Sequence, residues 1–388
     1  MFAIILGLSF IFSATANAAD SRATGDLGVV IERASGSALI VEHSHHQLLA
    51  KINELGDLSH VSVVFSRDQH YAYIFGRDGG LSKIDLIEDE INQRIIQAGN
   101  SIGGAISQDG KLIAVSNYEP GGIKIFSSED LHLIADIPAS YGEGKLSKTV
   151  GLVDAPHQQL VVSLFDAGEI WLINLQNPMQ PQIQKFKNIG KQPYDGFLTQ
   201  DGRYYIAGLF GESGLALLDL WNPQLGVKRI LTDYGQHEPE LPVYKMPHLE
   251  GWSTTGEWLF IPALHQQEVW VINRHNWQLH QRIKMAGQPV FVSAQPDGQQ
   301  IWVNFAFPNN HLVQIIDVAN LTVKKTLTVG KAVLHFEFTP KGEQIWMAVR
   351  DDNLVKIYDT LTFTQIAELA ADKPNGIFFS HRAYKIGF

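Results

Sequence analysis

The sequence has no cysteine among its 388 residues. It therefore cannot form a disulfide, use a thiol nucleophile, bind zinc or an iron–sulfur cluster through thiolates, or attach c-type haem through a CxxCH motif. A lipid-modified N-terminal cysteine is excluded for the same reason. The folded chain must be held together by core packing alone.

Positive charge is also scarce. The chain carries 30 Lys and Arg against 40 Asp and Glu, a formal net charge of -10, and has no basic run. Nucleic acid is therefore not expected as a partner. No low-complexity tract or long Pro/Gly linker marks a domain boundary, and a hydrophobic content of 45% can supply a large core. These features favour a single large domain.

The N-terminal stretch MFAIILGLSFIFSATANAAD has a short apolar core followed by Ala16-Asn17-Ala18. This order is typical of a cleaved export signal, and the apolar run is short for a membrane span. We expect a signal peptide over residues 1–18 and one domain over residues 19–388. An uncleaved membrane anchor is the alternative, and the missing positive n-region leaves open a start further upstream.

Helical periodicity over a full helix length is absent, and a repeated hairpin takes its place. Copies include GAISQDGKLIAVSNYEPGGIKIF (104–126), GFLTQDGRYYIAGLFGESGLALLDL (196–220) and FEFTPKGEQIWMAVRDDNLVKIYDT (336–359). Their starts are roughly 40 to 55 residues apart, which is the period of a propeller blade. Asp-Gly pairs in the turns and runs of Tyr, Ile, Val and Trp predict β-hairpins.

Seven such units begin between residues 61 and 336. The two chain ends can form an eighth, in which the tail GIFFSHRAYKIGF supplies the inner strand and a candidate second strand. The head LGVVIERASGSALIVEHSHHQLLAKI supplies the other strands. Joining the termini in one blade leaves no free sheet edge. We predict an all-β, eight-bladed β-propeller, with seven blades as the alternative.

In a propeller, the loops before the inner strands and the hairpins between second and third strands lie on one rim of the central channel. His60 precedes an inner strand, and Arg77 lies in such a hairpin. Equivalent positions in the other blades are occupied by Arg33, Asn117, Tyr118, Lys148, Asp166, Tyr194, Phe210, His248 and Arg350. Guanidinium groups bind carboxylates, aromatic rings stack on flat ligands, and imidazole binds iron. A flat metal macrocycle with carboxylates suits this rim, although many propellers serve only as protein-binding platforms.

The hairpin SHVSVVFSRDQHYAYIFGRDG resembles the first haem d1 hairpin of cytochrome cd1 nitrite reductases. The segments TGDLGVVIERASGS, VYKMPHLEGW and GKAVLHFEFTP are more closely similar to the NirF-type haem d1 biosynthesis proteins. The resemblance covers nearly the whole chain after the export signal. It implies an eight-bladed propeller in the periplasm that binds haem d1 or its late precursor.

The resemblance also implies roles for individual residues. His60 matches the proximal ligand to the haem iron, Arg77 and Arg33 match arginines that hold the carboxylates, and His248 with Lys245 nearby matches a distal position. The cofactor-binding set implied in this way, with the rim positions added, is His60, Arg33, Arg77, Asn117, Lys245, His248 and Arg350. A second distal histidine is missing near SAQPDG, and no CxxCH motif is present, so nitrite reduction is not expected.

Three functions stay open from the sequence. The chain can be an oxidoreductase or another tetrapyrrole-modifying enzyme of a late step, with His60, His248 and Asp166 as catalytic candidates. An oxidation would need an external acceptor such as a c-type cytochrome. The chain can instead be a carrier that delivers haem d1 to nitrite reductase or another maturation protein, or it can be a protein-binding platform. A homodimer is left open as well.

Ordinary structural roles compete with these assignments. A histidine before a strand is more often a hydrogen-bonding rim residue than a ligand, and Asp166 can simply stabilise its turn. His43, His45 and His46 in EHSHHQ have the composition of a nickel or zinc site. We expect them to lie in a solvated turn between outer strands.

Overall fold

The computed structural model describes residues 22–235 and 251–387. These residues form eight four-stranded antiparallel sheets and one two-stranded hairpin. The inner strands of neighbouring blades contact one another around a central channel. The predicted eight-bladed propeller is therefore confirmed, and the seven-bladed alternative is wrong.

Each blade runs from an inner strand at the channel to an outer strand at the periphery. Blade 1 contains β34 (Pro374–Phe379), β1 (Leu27–Glu32), β2 (Ser37–Glu42) and β3 (Gln47–Ile52). Blade 2 contains β4 (Val61–Phe65), β5 (Tyr71–Gly76), β6 (Gly80–Asp85) and β7 (Glu90–Ile96). Blade 3 contains β8 (Asn100–Ile106), β9 (Leu112–Glu119), β10 (Gly122–Ser127) and β11 (Leu133–Pro138). Blade 4 contains β14 (Thr149–Ala155), β15 (Gln159–Leu164), β16 (Glu169–Asn174) and β17 (Gln182–Phe186).

Blade 5 contains β18 (Pro193–Leu198), β19 (Tyr204–Leu209), β20 (Leu215–Asp219) and β21 (Val227–Ile230). Blade 6 contains β22 (Ser253–Thr255), β23 (Trp258–Ala263), β24 (Glu268–Asn273) and β25 (Gln278–Lys284). Blade 7 contains β26 (Pro289–Ala294), β27 (Gln300–Phe305), β28 (Leu312–Asp317) and β29 (Thr322–Thr328). Blade 8 contains β30 (Val333–Phe338), β31 (Gln344–Val349), β32 (Leu354–Asp359) and β33 (Gln365–Ala370).

The strand boundaries follow from turn chemistry and burial. Gly110, Gly202 and Gly298 of the Asp-Gly turns have φ values of 72°, 68° and 74°, which glycine adopts without steric cost. Between the blades, large apolar side chains are fully buried. For example, the Trp346 ring of blade 8 meets the Phe379 ring of blade 1 edge-on at 5.4 Å. Such packing between blades replaces the absent disulfides.

Blade 1 closes the ring by pairing β34 with β1, from Gly28 opposite Phe379 to Glu32 opposite Pro374. The carboxylate of Glu32 is buried and accepts hydrogen bonds from the Asp372 backbone N–H and the Ser37 hydroxyl, each at 2.7 Å. The tail supplies one strand of this blade only. The expected second strand from the tail is wrong, because the chain after Phe379 turns into a 3-10 helix.

The remaining elements are short. The 3-10 helices in the described ranges cover Thr24–Asp26, Pro223–Leu225, Arg350–Asp352 and Ser380–Tyr384. A two-stranded hairpin of β12 (Ser140–Tyr141) and β13 (Lys145–Leu146) lies between blades 3 and 4. Within residues 22–235 and 251–387, no helix has the length and apolar character needed to cross a membrane. The predicted signal peptide, Lys245 and His248 lie outside the described residues.

Candidate functional site

The central channel contains a cavity of about 800 Å³. The inner strands of blades 2 to 7 form most of its wall. We call the end where the inner strands begin the upper rim, and the end where they turn into the second strands the lower rim. Cavities that bind small molecules have volumes of about 300–1,000 Å³. The channel is therefore large enough for a ligand of considerable size.

His60 lies on the upper rim, immediately before β4, where it is half-buried and lines the cavity. The turn that leads to it is held by the Ser59 backbone N–H, which donates to the Asp57 carboxylate at 2.8 Å. The Asn375 side chain of β34 donates to the Leu58 carbonyl at 3.3 Å. Two anchors thus set the backbone that presents this imidazole at the channel mouth.

Arg77 and Arg33 lie on the same rim and flank Asp57. The Arg77 backbone N–H donates to the Asp57 carbonyl at 2.8 Å. Hydrogen bonds from Ser59 lower the pKa of the Asp57 carboxyl, and the nearby guanidinium groups of Arg77 and Arg33 lower it further. Arg33 is exposed and Arg77 is half-buried. The rim beside His60 therefore presents two guanidinium groups, while neither of them lines the cavity itself.

An aromatic group lies on the same rim, on blades 3 to 5. The hydroxyl groups of Tyr118 and Tyr194 are 2.7 Å apart. The Tyr194 ring stacks on Phe210 with ring centres 4.3 Å apart, and Phe165 packs edge-on against both rings. Burial raises the pKa of each tyrosine, and the positive charge of Arg77 only partly opposes this. Both phenols are therefore protonated at neutral pH. Tyr194 lines the cavity, whereas Tyr118 does not.

Glycine keeps the inner strands around the cavity close together. A Cβ atom on Gly151 of β14 would lie 2.3 Å from the backbone of Asp195, and its φ of +58° also disfavours other residues. A Cβ atom on Gly103 of β8 would lie 2.9 Å from the Ser62 hydroxyl. At these two positions the neighbouring inner strands therefore approach each other more closely than a side chain would allow.

Asn117 and Arg350 occupy their expected hairpins but do not line the cavity. The buried amide of Asn117 exchanges two hydrogen bonds with the amide of Gln97, at 2.9 and 3.0 Å. The guanidinium of Arg350 binds the neighbouring Asp351 carboxylate through two hydrogen bonds, at 2.8 and 3.1 Å. Both side chains are engaged in hydrogen bonds within the protein.

Asp166 is engaged as well. Its carboxylate accepts the Lys148 backbone N–H at 2.9 Å and lies 3.5 Å from the Lys148 ammonium. Its own N–H donates to the Ser147 hydroxyl at 2.9 Å. These bonds tie the hairpin after β15 to the segment before β14, which is the turn-stabilising role considered above. Asp166 does not line the cavity.

The histidines of EHSHHQ lie in the turn between β2 and β3 of blade 1, on the lower rim and away from the cavity. His43 Nδ1 is 2.8 Å from the Asp26 carboxylate, and His45 Nδ1 is 2.8 Å from that of Glu42. His46 contacts the Gln344 side chain at 3.0 Å. The ligand atoms of Asp26, Glu42 and His45 lie within 4.8 Å of one another.

The lower end of the cavity holds residues that sequence reasoning missed. His381 and Tyr384 to Gly387, from the tail, line the same cavity as His60. The sequence feature that could have indicated them is the length of chain that follows the last strand, β34. The hydrogen bond between Tyr118 and Tyr194 was also missed, because the two residues are on different blades and 76 positions apart.

Comparisons with known proteins agree with this architecture. The solved structure described as "Dihydro-heme d1 dehydrogenase NirN in complex with DHE" has a TM-score of 0.81 at 23% identity, covering 93% of this chain and 76% of that chain. "Structure of apo AztD from Citrobacter koseri" has a TM-score of 0.63 at 12% identity, covering 90% of this chain and 96% of that chain. At these identities the likeness establishes the propeller fold alone.

Relatives with higher sequence identity show the family. The chain is 55% identical to "Protein NirF" of Stutzerimonas stutzeri and 54% identical to "Protein NirF" of Pseudomonas aeruginosa, covering 94% of each chain in both alignments. It is 26% identical to "Dihydro-heme d1 dehydrogenase" of Pseudomonas aeruginosa, over 94% of this chain and 72% of that relative. Residues 22–383 match the Cytochrome D1 heme domain family. This chain therefore belongs to the Cytochrome D1 heme domain family.

Proposed function

We propose that this protein binds haem d1 or its late precursor at the upper mouth of the channel. His60 would be the axial ligand to the iron, and Arg77 and Arg33 would hold carboxylates at the edge of the ring. The observation that carries the proposal is the meeting of His60 and two guanidinium groups on one rim, in a chain that matches the d1 haem domain family over residues 22–383.

The residues present fit such a ligand. The cavity of about 800 Å³ is of suitable size for a flat ring. The stacked rings of Tyr194 and Phe210 offer an aromatic neighbour for its face or edge. When bound, the macrocycle would supply the iron and the conjugated ring that is to be modified.

The residues of this chain would bind, orient and exchange protons with that ligand. The ordinary pKa of a tyrosine is 10.0 and burial raises that of Tyr194 further, so its hydroxyl is protonated at neutral pH and can donate a hydrogen bond to an acceptor on the ring periphery. Tyr118 would keep the Tyr194 hydroxyl in place. His248 and Lys245 are proposed on the distal side from the family resemblance alone, since they lie outside the described residues.

We further propose that the protein acts in the periplasm, at a late step of haem d1 biosynthesis, before the cofactor reaches cytochrome cd1 nitrite reductase. The N-terminal export pattern supports the location. The relatives named NirF, at 55% and 54% identity, support the pathway. An oxidation of the ring would need an electron acceptor outside this chain, for which a c-type cytochrome is suited.

Binding is tested with haem d1 and three single variants. Replacing His60 by Ala should change the absorption spectrum of the bound haem, because the nitrogen ligand to the iron is lost. Arg77→Ala should weaken binding by about ten- to a hundredfold while keeping the iron spectrum, since a hydrogen bond to a charged group contributes about 1.5–3 kcal/mol. Arg203→Ala is the matched control, because Arg203 pairs with Asp219 outside the cavity lining. Unchanged spectra and affinities in the first two variants would show that the ligand binds elsewhere.

A second experiment separates a modifying enzyme from a carrier. The purified protein is incubated with the late precursor, with and without an added c-type cytochrome, and the extracted pigment is analysed by mass spectrometry. A changed mass supports modification, whereas an unchanged mass with full binding supports a carrier. No binding of either pigment would leave the protein-binding platform as the function.

A further inference from the structure

The C-terminal tail runs across the lower rim of the propeller. It leaves the inner strand of blade 1 at Phe379, and the Gly387 backbone N–H donates to the Asp154 carboxylate of blade 4 at 2.6 Å. Ile386 lies against the turn at Gly202 of blade 5, within 3.0 Å of where a Cβ atom on that glycine would be. Blades 1 and 5 are opposite each other in a ring of eight. The tail therefore spans the diameter of the channel.

The first part of the tail is firmly anchored. The guanidinium of Arg382 donates two hydrogen bonds to the carboxylate of Glu337 on the inner strand of blade 8, and both side chains are only 1% exposed. Arg67 of blade 2 donates to the carbonyl groups of Ala383 and Ser107. A buried ion pair of this kind leaves an uncompensated charge when it is broken. The tail is thus fixed to several blades and is not a fraying terminus.

The same cavity reaches from the upper rim to this tail. His60 lines it at the top, and His381 with residues 384–387 lines it at the bottom. The lower hairpins of blades 5 to 7 complete the bottom. We propose that residues 384–387 are the floor of the ligand cavity, so that a flat macrocycle enters and leaves only at the upper rim beside His60. This inference rests on the proposed function for the identity of the ligand.

The absence of cysteine allows a direct test with a single introduced thiol. Ala294→Cys places the thiol at the end of β26, in the lower part of the cavity. The probe is fluorescein maleimide, which is a bulky aromatic reagent, and haem d1 is the ligand. Met179→Cys, at a side chain that is 77% exposed and outside the cavity lining, measures the intrinsic labelling rate in each background.

In the full chain, haem d1 at about ten times its Kd should slow labelling at position 294 about tenfold, because about a tenth of the upper sites are then empty. In a chain that ends at Ala383, haem d1 should give little protection, because the reagent reaches the thiol from below. Labelling at position 179 should be the same in both. Full-chain labelling that haem d1 does not slow, or equal protection in the shortened chain, would overturn the inference.

A shorter truncation controls for the possibility that the chain ending at Ala383 does not fold. Removing residues 386–388 keeps the ion pair of Arg382 with Glu337, and thermal melting shows whether either shortened chain is folded. If haem d1 leaves the absorption spectrum unchanged on addition to the full chain, the proposed function fails. The floor is then still tested without ligand, since labelling at position 294 must be faster in a folded shortened chain than in the full chain. Equal rates there would reject it.

Discussion

Replacing Glu32 by Gln tests how the ring is closed. The carboxylate is only 3% exposed and accepts hydrogen bonds from the Asp372 N–H, the Ser37 hydroxyl and the Lys51 ammonium, each at 2.7 Å. Glutamine keeps one acceptor but turns an NH₂ group toward groups that also donate. The Lys51 side chain is 42% exposed, so its ion pair contributes little. Loss of the charge-assisted bonds should lower the free energy of unfolding by about 1.5–3 kcal/mol.

The pH dependence of this loss of stability shows whether the charge of Glu32 causes it. Burial alone would raise the pKa of Glu32, but the bonds from Lys51, Asp372 and Ser37 outweigh burial and bring the pKa below its ordinary value of 4.5. A carboxyl whose pKa is lowered in the folded state adds stability above its unfolded pKa and loses it as the pH falls through the folded pKa. The difference between Glu32 and Gln should therefore be complete at neutral pH and should disappear in acid.

Urea denaturation at several pH values measures this difference, as a shift of the midpoint with an unchanged slope. Glu90→Gln is the control, because Glu90 is exposed at the start of β7. A loss no larger than that of the control at neutral pH would refute the role of Glu32 in closure. A loss that persists unchanged in acid would show that packing, rather than charge, is responsible.

Two further predictions concern the cavity wall. Tyr118→Phe removes the hydrogen-bond partner of the Tyr194 hydroxyl and should lower the free energy of unfolding by about 0.5–1.5 kcal/mol. Tyr384→Phe, at a side chain that is 74% exposed, should have no measurable effect on the same urea curve. Gly142→Ala and Gly151→Ala both place a side chain at positive φ, +53° and +58°, which costs about 1–2 kcal/mol. The new Cβ atom of Gly151→Ala would also lie 2.3 Å from a neighbouring backbone, whereas that of Gly142→Ala would meet nothing within 4 Å. Gly151→Ala should therefore lower the melting temperature clearly more than Gly142→Ala. Equal decreases in melting temperature would contradict the geometry.

The rim positions of the candidate site could be predicted, because propeller topology places equivalent positions of the blades on one rim. His60 and Arg77 belong to the same hairpin, and any antiparallel pairing of β4 with β5 brings their backbones to the same end. Asn117 has an equivalent position in its blade, yet its side-chain amide is hydrogen-bonded to the amide of Gln97. The rim position alone does not predict this pairing. The position of a residue in the repeat predicts where the backbone places its side chain. The hydrogen-bond partners of that side chain depend on the neighbouring strands.

The sequence by itself determined the blade. Runs of Tyr, Ile, Val and Trp and the Asp-Gly turns act over short separations, so the repeat, the count of eight blades and the pairing of both termini could be predicted from local patterns. Only the tertiary structure decided which residues of different blades meet. The contact of Tyr118 with Tyr194 and the path of residues 380–387 over the lower rim join distant parts of the chain. No local pattern encodes such contacts, because they exist only once all eight blades have closed into a ring.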